Sequence, residues 1–221
     1  MFVLLIPSLV NASGGISGKV TYTGERLPVK KLAVGIDAEV CGSAISSEEI
    51  ILGKRGELQN VVVYLSGKGL FSYKGLSQES PAVLTQEKCR FTPRVVFISP
   101  GQDLKVVNND GILHNFHTES HANLSLNRAQ PASMRELILK FSRSEIFTAI
   151  CDVHSWMKSV IVVKDNPYYA LTNEKGEYEI KDIPLGTYVL HFFHEKLGEK
   201  KQVIQIKEGE TENVSIKMGI Y

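Results

Sequence analysis

The chain never runs far without a turn. Its apolar residues come in short stretches rich in Val, Ile, Leu, Phe and Tyr, each closed by Gly, Pro, Asn or Asp. "ISGKVTYTG" (16–24) alternates Ile16, Lys19, Val20 and Tyr22 before a glycine, and "LQNVVVYLSG" (58–67) is a β-branched run that stops at Gly67. "RVVFISPGQDLKVVNND" (94–110) reads as two short strands in a hairpin about a Pro-Gly turn, and "SVIVV" (159–163) as a strand buried on both faces. "YYALTNEKGEYEIKDIPLGTYVLHFFHE" repeats strand and Gly or Pro-Gly turn, and "KQVIQIKEGETENVSIKM" adds a last hairpin with Val214, Ile216 and Met218 alternating. Only "SRSEIF" and "SMRELILK" hint at helix, and the second fits better as a strand with Leu137, Leu139 and Phe141 on one face. Short strands between regular turns specify an all-β fold of the sandwich type.

With 221 residues the chain suits one large or two small domains, and 43% hydrophobic with 22% charged residues is an ordinary globular balance. A formal charge of +1 argues against nucleic acid as a partner. No apolar run is long enough for a transmembrane span. The N-terminus reads differently. Phe2 to Val10 is almost wholly apolar and Val10-Asn11-Ala12 offers small residues for cleavage, so 1–12 reads as an export signal with a clipped start. Export would place the protein in the periplasm or outside the cell, where disulfides persist. Three cysteines are present. Cys151 has metal-type neighbours, which leaves Cys41 and Cys89 to pair or to stand as two separate buried thiols.

Those neighbours are "AICDVHSWMKSVIVV" (149–163), with Cys151, His154 and Met157 spaced by three between two apolar runs. Thiolate and thioether are soft ligands that favour copper, and imidazole suits copper as well. Two His and one Cys in a plane with a weak axial Met form a blue-copper centre. The missing imidazole is available in "GILHNFHTES" (111–120), which offers His114 and His117. Structural zinc fits less well, because Met157 would have no part in it.

The segment from Pro81 to Val163 resembles a small cupredoxin of the plastocyanin and amicyanin type. "CDVHSWM" is similar to that family's Cys-x-x-His-x-x-Met loop, "HNFH" to its upstream ligand motif, and "FISPGQDLKVVNND" to the strands before it. The resemblance implies a Greek-key β-sandwich holding one type 1 copper ion. His114, Cys151 and His154 would be its equatorial ligands and Met157 the axial one. It makes Asn115 the residue whose hydrogen bonds tie the two ligand loops together. His117 becomes a neighbour of the ligands or a surface residue, and Trp156 either part of a partner-docking patch or packed on the barrel. The family usually places Pro after the loop histidine. Ser155 stands there instead, which should loosen the loop and admit water at His154.

"TNEKGEYEIKDIPLGTYVLHF" is similar to a carboxypeptidase regulatory-like domain, a small transthyretin-like or Ig-like sandwich. "ISGKVTYTGERLP" and "LQNVVVYLSG" fill the places of its early strands. The expected organisation is residues 13–80 as early strands and linker, 81–164 as the cupredoxin, and 165–221 as the late strands. Two sandwiches in series are the alternative. Such fusions are known from methylamine-utilisation-type proteins. The function implied is an exported one-electron carrier serving a redox partner protein, not an enzyme. A structural, adhesion or copper-storage module is the other reading. No Ser/His/Asp constellation is legible along the chain.

Overall fold

The computed structural model describes residues 12–25, 28–70 and 80–219, so nearly all of the expected export signal and part of the expected linker before residue 81 lie outside the described residues. The chain is all-β. In order, its elements are β1 (Ser13–Tyr22), β2 (Lys31–Ala33), α1 (Ala38–Cys41), β3 (Ala44–Ser46), β4 (Val62–Ser66), β5 (Ala82–Glu87), β6 (Arg90–Thr92), β7 (Val95–Ile98), β8 (Asp103–Asn108) and β9 (His114–Thr118). There follow β10 (Leu126–Gln130), β11 (Glu136–Lys140), β12 (Glu145–Ile150), β13 (Lys158–Val163), β14 (Tyr169–Leu171), β15 (Glu177–Pro184), β16 (Gly186–His194), β17 (Gly198–Ile206), β18 (Thr211–Asn213) and β19 (Ile216–Met218).

Two sheets built from the middle of the chain face each other, with orders β10-β9-β12-β13-β7 and β11-β8-β5-β6. Between them lies a core that includes Leu84, Phe91, Leu104, Val106, Phe116, Phe141, Phe147 and Ile161. Two further sheets draw on both ends of the chain: β15-β1-β18, with β19 also on β1, and β14-β4-β16-β17. Their core holds Ile16, Val20, Leu58, Leu65, Tyr178, Ile180, Tyr188, Leu190 and Phe192. Alternation explains the split. On β4, Val63 and Leu65 enter this second core, while Val62 and Tyr64 point to the opposite face.

That opposite face meets the central sandwich. Val62, Tyr64, Leu171 and Phe193 pack with Val95, Phe97, Val160 and Val162, and the Phe97 and Tyr169 rings stack at 4.3 Å. β13 is therefore apolar on both sides, as its continuous run requires. At the edge of this seam Arg94 donates from Nε (2.8 Å) and Nη2 (2.6 Å) to one oxygen of Glu195, and from Nη1 to the carbonyl of Lys158. His194 lies beside the pair, 2% exposed. Burial and the Arg94 charge hold its imidazole down to about 4. Because the folded value is depressed, neutral His194 supports the fold above the unfolded value near 6.5, and that support is lost as pH falls towards 4. The shift corresponds to about 3 kcal/mol, and urea unfolding at pH 7 and pH 4 should show that part of the difference disappear in His194→Asn.

Three readings are corrected. The 94–110 stretch is not a hairpin, for β7 runs parallel to β13 while β8 lies between β5 and β11 in the facing sheet. The turn at Pro100 and Gly101 is a corner between sheets, fastened by Gly101 N–H to Phe141 C=O and by Gln102 to Ser99 and Ser80. The last hairpin also fails: β18 and β19 leave β17 and run parallel along β1. Gly18 permits that crossing, since a Cβ there would lie 1.9 Å from the Val214 carbonyl oxygen. "SRSEIF" is not helical. It leads into β12, where Phe147 and Ala149 enter the core alternately. The stretch 136–140 is a strand, with Leu139 buried in that core.

Candidate metal centre

Cys151 directly follows β12 and His114 opens β9, and the two strands are direct neighbours through the Ile150–His117 pair. β12 and β13 form an antiparallel hairpin whose loop carries His154, Trp156 and Met157. Two backbone bonds draw that loop inward, from Met157 N–H to His154 C=O (2.9 Å) and from Cys151 N–H to Met157 C=O (3.2 Å). The structure thus brings His114, Cys151, His154 and Met157 to one end of the central sandwich. His114 and His154 are 0% exposed, Cys151 and Met157 1%.

Three donor atoms converge. His114 Nδ1 lies 4.0 Å and His154 Nδ1 3.9 Å from Cys151 Sγ, and the two nitrogens are 3.0 Å apart. With metal–nitrogen bonds of about 2.0–2.1 Å and metal–sulfur bonds of about 2.3 Å, a trigonal set spans about 3.8 Å from S to N and about 3.5 Å from N to N. The sulfur edges match. The nitrogen edge is tighter because the rings hydrogen-bond to each other, a contact a bound ion would replace. One thiol and two imidazoles suit copper, and Met157, buried on the same loop, offers a thioether.

Carboxylates hold the outer nitrogens. Asp110 accepts from His114 Nε2 at 2.8 Å and Asp37 from His154 Nε2 at 3.1 Å. Without metal, one Nδ1 carries the hydrogen that joins the two rings. Once a metal ion displaces that proton, the Nε2 hydrogens held by the carboxylates leave both Nδ1 lone pairs facing the thiol, the orientation that metal-binding imidazoles need. Burial pushes the His114 imidazole down, but Asp110 and Cys151 outweigh it and hold it up to about 9. His154 is held below the usual imidazole range by burial and by the neighbouring His114 charge. Burial raises the Cys151 thiol, yet His114 and the N–H groups of Asn115, His154 and Val153 draw it below the ordinary value. The site stabilises the thiolate that a metal requires.

Asn115 links the two ligand segments. Its Oδ1 accepts from Asp152 N–H at 2.5 Å, and its Nδ2 donates to Asp152 and Asn127. His117 is half-buried and pairs with the other oxygen of Asp152 at 2.8 Å. Trp156 donates to the Cys89 carbonyl at 3.0 Å, its ring 5.3 Å from that of His154. It packs on the core and also lines a cavity of about 200 Å³ with Lys30, Arg90 and Lys158. Cys41 and Cys89 form a disulfide across a separation of 48 residues, which contributes about 4 kcal/mol in the chain-entropy picture.

The sequence missed several participants. Asp110 stands four residues before His114, a spacing that offered a signal. Asp37 is 117 residues from His154 and offered none. The water access expected at His154 from Ser155 is not seen, since His154 is 0% exposed with Asp37 and the disulfide sulfurs lying against it. A further arrangement had no sequence signature: Ser66 Oγ lies 2.7 Å from His191 Nε2, whose Nδ1 is 2.9 Å from Glu199. Tyr64 stacks on that imidazole and donates to the same carboxylate oxygen. The row lies on the face of β4, β16 and β17 that adjoins the central sandwich, and it lines neither the 200 Å³ cavity nor that of about 550 Å³.

No protein-family model matches the chain, and no curated protein matches it by sequence. Among solved structures it is similar to a copper-containing nitrite reductase from Thermus scotoductus SA-01, at 18% identity and TM-score 0.37, over 40% of this chain and 23% of that one. A mutant of amicyanin in the Cu(I) form is similar at 14% identity and TM-score 0.36, over 46% of this chain and 98% of that one. A purple cupredoxin from Nitrosopumilus maritimus is similar at 15% identity and TM-score 0.32, over 38% of this chain and 99% of that one. These three solved structures are thus copper proteins and cupredoxins of low identity, each covering less than half of this chain.

Proposed function

We propose that the protein is an exported type 1 copper protein that carries single electrons for a redox partner protein, without substrate chemistry of its own. One observation carries this reading: the thiol of Cys151 and the Nδ1 atoms of His114 and His154 converge in a buried site whose outer nitrogens are already fixed by carboxylates. Copper, when bound, supplies a one-electron couple. The chain's own residues supply rigidity. Asp110 and Asp37 hold the imidazoles, Asn115 ties β9 to the ligand loop, and the apolar core excludes water. Ligands that barely move suit both oxidation states. Met157 would complete a set of four protein donors, which leaves no open position for a substrate. The disulfide agrees with an oxidising compartment, and no described helix is long and apolar enough to cross a membrane.

Closure of the His154 edge favours a second reading, a module that holds copper for delivery. Voltammetry of the copper-loaded protein separates the two. A carrier cycles reversibly by one electron, and a protein that releases copper on reduction would be a store. Met157→Leu should keep copper and shift the reduction potential upward, as loss of a weak axial ligand does. An unchanged potential would remove Met157 from the ligand set.

A further inference from the structure

Residues 31–46 form a small separate piece of structure on top of the ligand loop. β2 and β3 pair only with each other, with α1 between them. A two-stranded ribbon is marginal by itself. Little apolar surface holds this one down: Cys41 and Ile45 enter the central core and Val34 packs against it, while Ile36, Val40 and the rest of α1 face solvent. Covalent and polar fastenings do the rest. Cys41 is bonded to Cys89, and Arg90 pairs with Glu48 at 2.6 Å and donates to the Ser46 carbonyl.

The fastening point lies over the candidate centre. The disulfide sulfurs come within 4.8 Å of a ring nitrogen of His154, and Cys89 Sγ is equally close to Asp110 and His114. Asp37 stands at the start of α1 with a left-handed φ of 56°, uncommon outside glycine. A carboxylate there would ordinarily cap the helix, yet this one makes no capping bond and reaches His154 Nε2 instead. A strained residue and a released cap are thus maintained for one contact, as at functional positions.

We propose that residues 31–46 are a disulfide-latched cap over the metal centre, closed on His154 while Cys41 and Cys89 are joined and released when a thiol reductant cleaves them. In that step two equivalents of a small thiol give up their hydrogens to the Cys41 and Cys89 sulfurs and leave as their own disulfide. Release removes Asp37 from His154 and opens Cys151 to solvent, so the latch governs when a metal ion can enter or leave. The inference rests on the reading of Cys151, His114 and His154 as a metal centre. It concerns access, and it is testable without metal.

In the metal-free Cys41→Ser/Cys89→Ser protein Cys151 is the sole thiol. Native-state alkylation with iodoacetamide, followed by mass spectrometry, should proceed at least tenfold faster at Cys151 than in the disulfide-bonded parent. Each rate is normalised by its global unfolding equilibrium from urea titration, so that lost stability is not mistaken for opening. Asp37→Ala, with the disulfide intact, keeps the latch and should label within a few-fold of the parent. Equal normalised rates for parent and double variant would overturn the cap, whatever the copper result. Absence of a thiolate–copper band in a rapidly labelling variant would overturn the metal reading and leave the cap standing.

Discussion

Glu195→Ala is expected to destabilise the protein by about 3–5 kcal/mol, far more than loss of a surface ion pair. The Arg94 and Glu195 side chains are 9% and 12% exposed, and both Arg94 contacts with the carboxylate fall on one oxygen. Removing the acid leaves a guanidinium at the seam with only the Lys158 carbonyl as a remaining partner among those identified. The neighbouring His194 supplies no compensating charge, since burial and the Arg94 charge disfavour its protonated form and keep it neutral. Replacing both members with apolar residues, Arg94→Met with Glu195→Leu, should recover most of the loss, because the cost belongs to the orphaned charge. Urea unfolding of the single and double variants measures this. A single-variant loss below about 1 kcal/mol would make the pair equivalent to an exposed one and the seam wet.

The second large effect is at Asp110, whose side chain is 4% exposed. It accepts from three groups: His114 Nε2, Lys88 N–H at 2.5 Å and Cys89 N–H at 2.9 Å. Lys88 and Cys89 have φ of 52° and 53°, so the carboxylate also supports a left-handed turn next to the disulfide. Asp110→Ala strands two backbone donors and an imidazole, with an expected loss of about 2–4 kcal/mol. It also frees the His114 ring, which should weaken metal binding by about 10–100-fold. Asp110→Asn keeps an acceptor oxygen for one or two of the donors but no charge, and should lie between parent and Asp110→Ala in both respects. A competitive chelator titration beside urea unfolding reads the two effects separately. Unchanged metal affinity in Asp110→Ala would exclude Asp110 from orienting His114.

The sandwich class was legible, and so was the loop that carries most of the candidate site, because both are local. Strands announce themselves by composition and by the turns that end them, and "CDVHSWM" places Cys151, His154 and Met157 in one hairpin loop. What stayed hidden is how strands are assigned to sheets. A Pro-Gly turn between 98 and 103 signals that the chain reverses, but it does not say whether the next strand joins its neighbour or crosses to the facing sheet. The choice is made at long range, where β13 receives β7 and β5 receives β8. The same limit hid Asp37, Arg94 with Glu195, and the row of Ser66, His191 and Glu199. Each links residues that only pairing between distant strands, or folding of the cap, brings together. Ser155 shows the converse error. Its effect on the loop was inferred from the loop alone, whereas solvent access at His154 is decided by a segment more than a hundred residues upstream.

The central claim is that Cys151 Sγ with His114 and His154 Nδ1 forms a copper centre, and a Cu(II) titration followed by visible absorption tests it most directly. The account expects an intense thiolate charge-transfer band that saturates at one equivalent in the parent, read after enough time for entry past the cap. The band should be absent in Cys151→Ser, whose fold and thermal transition remain those of the parent. A parent that stays colourless at saturating Cu(II), or a band that survives in Cys151→Ser, would contradict it.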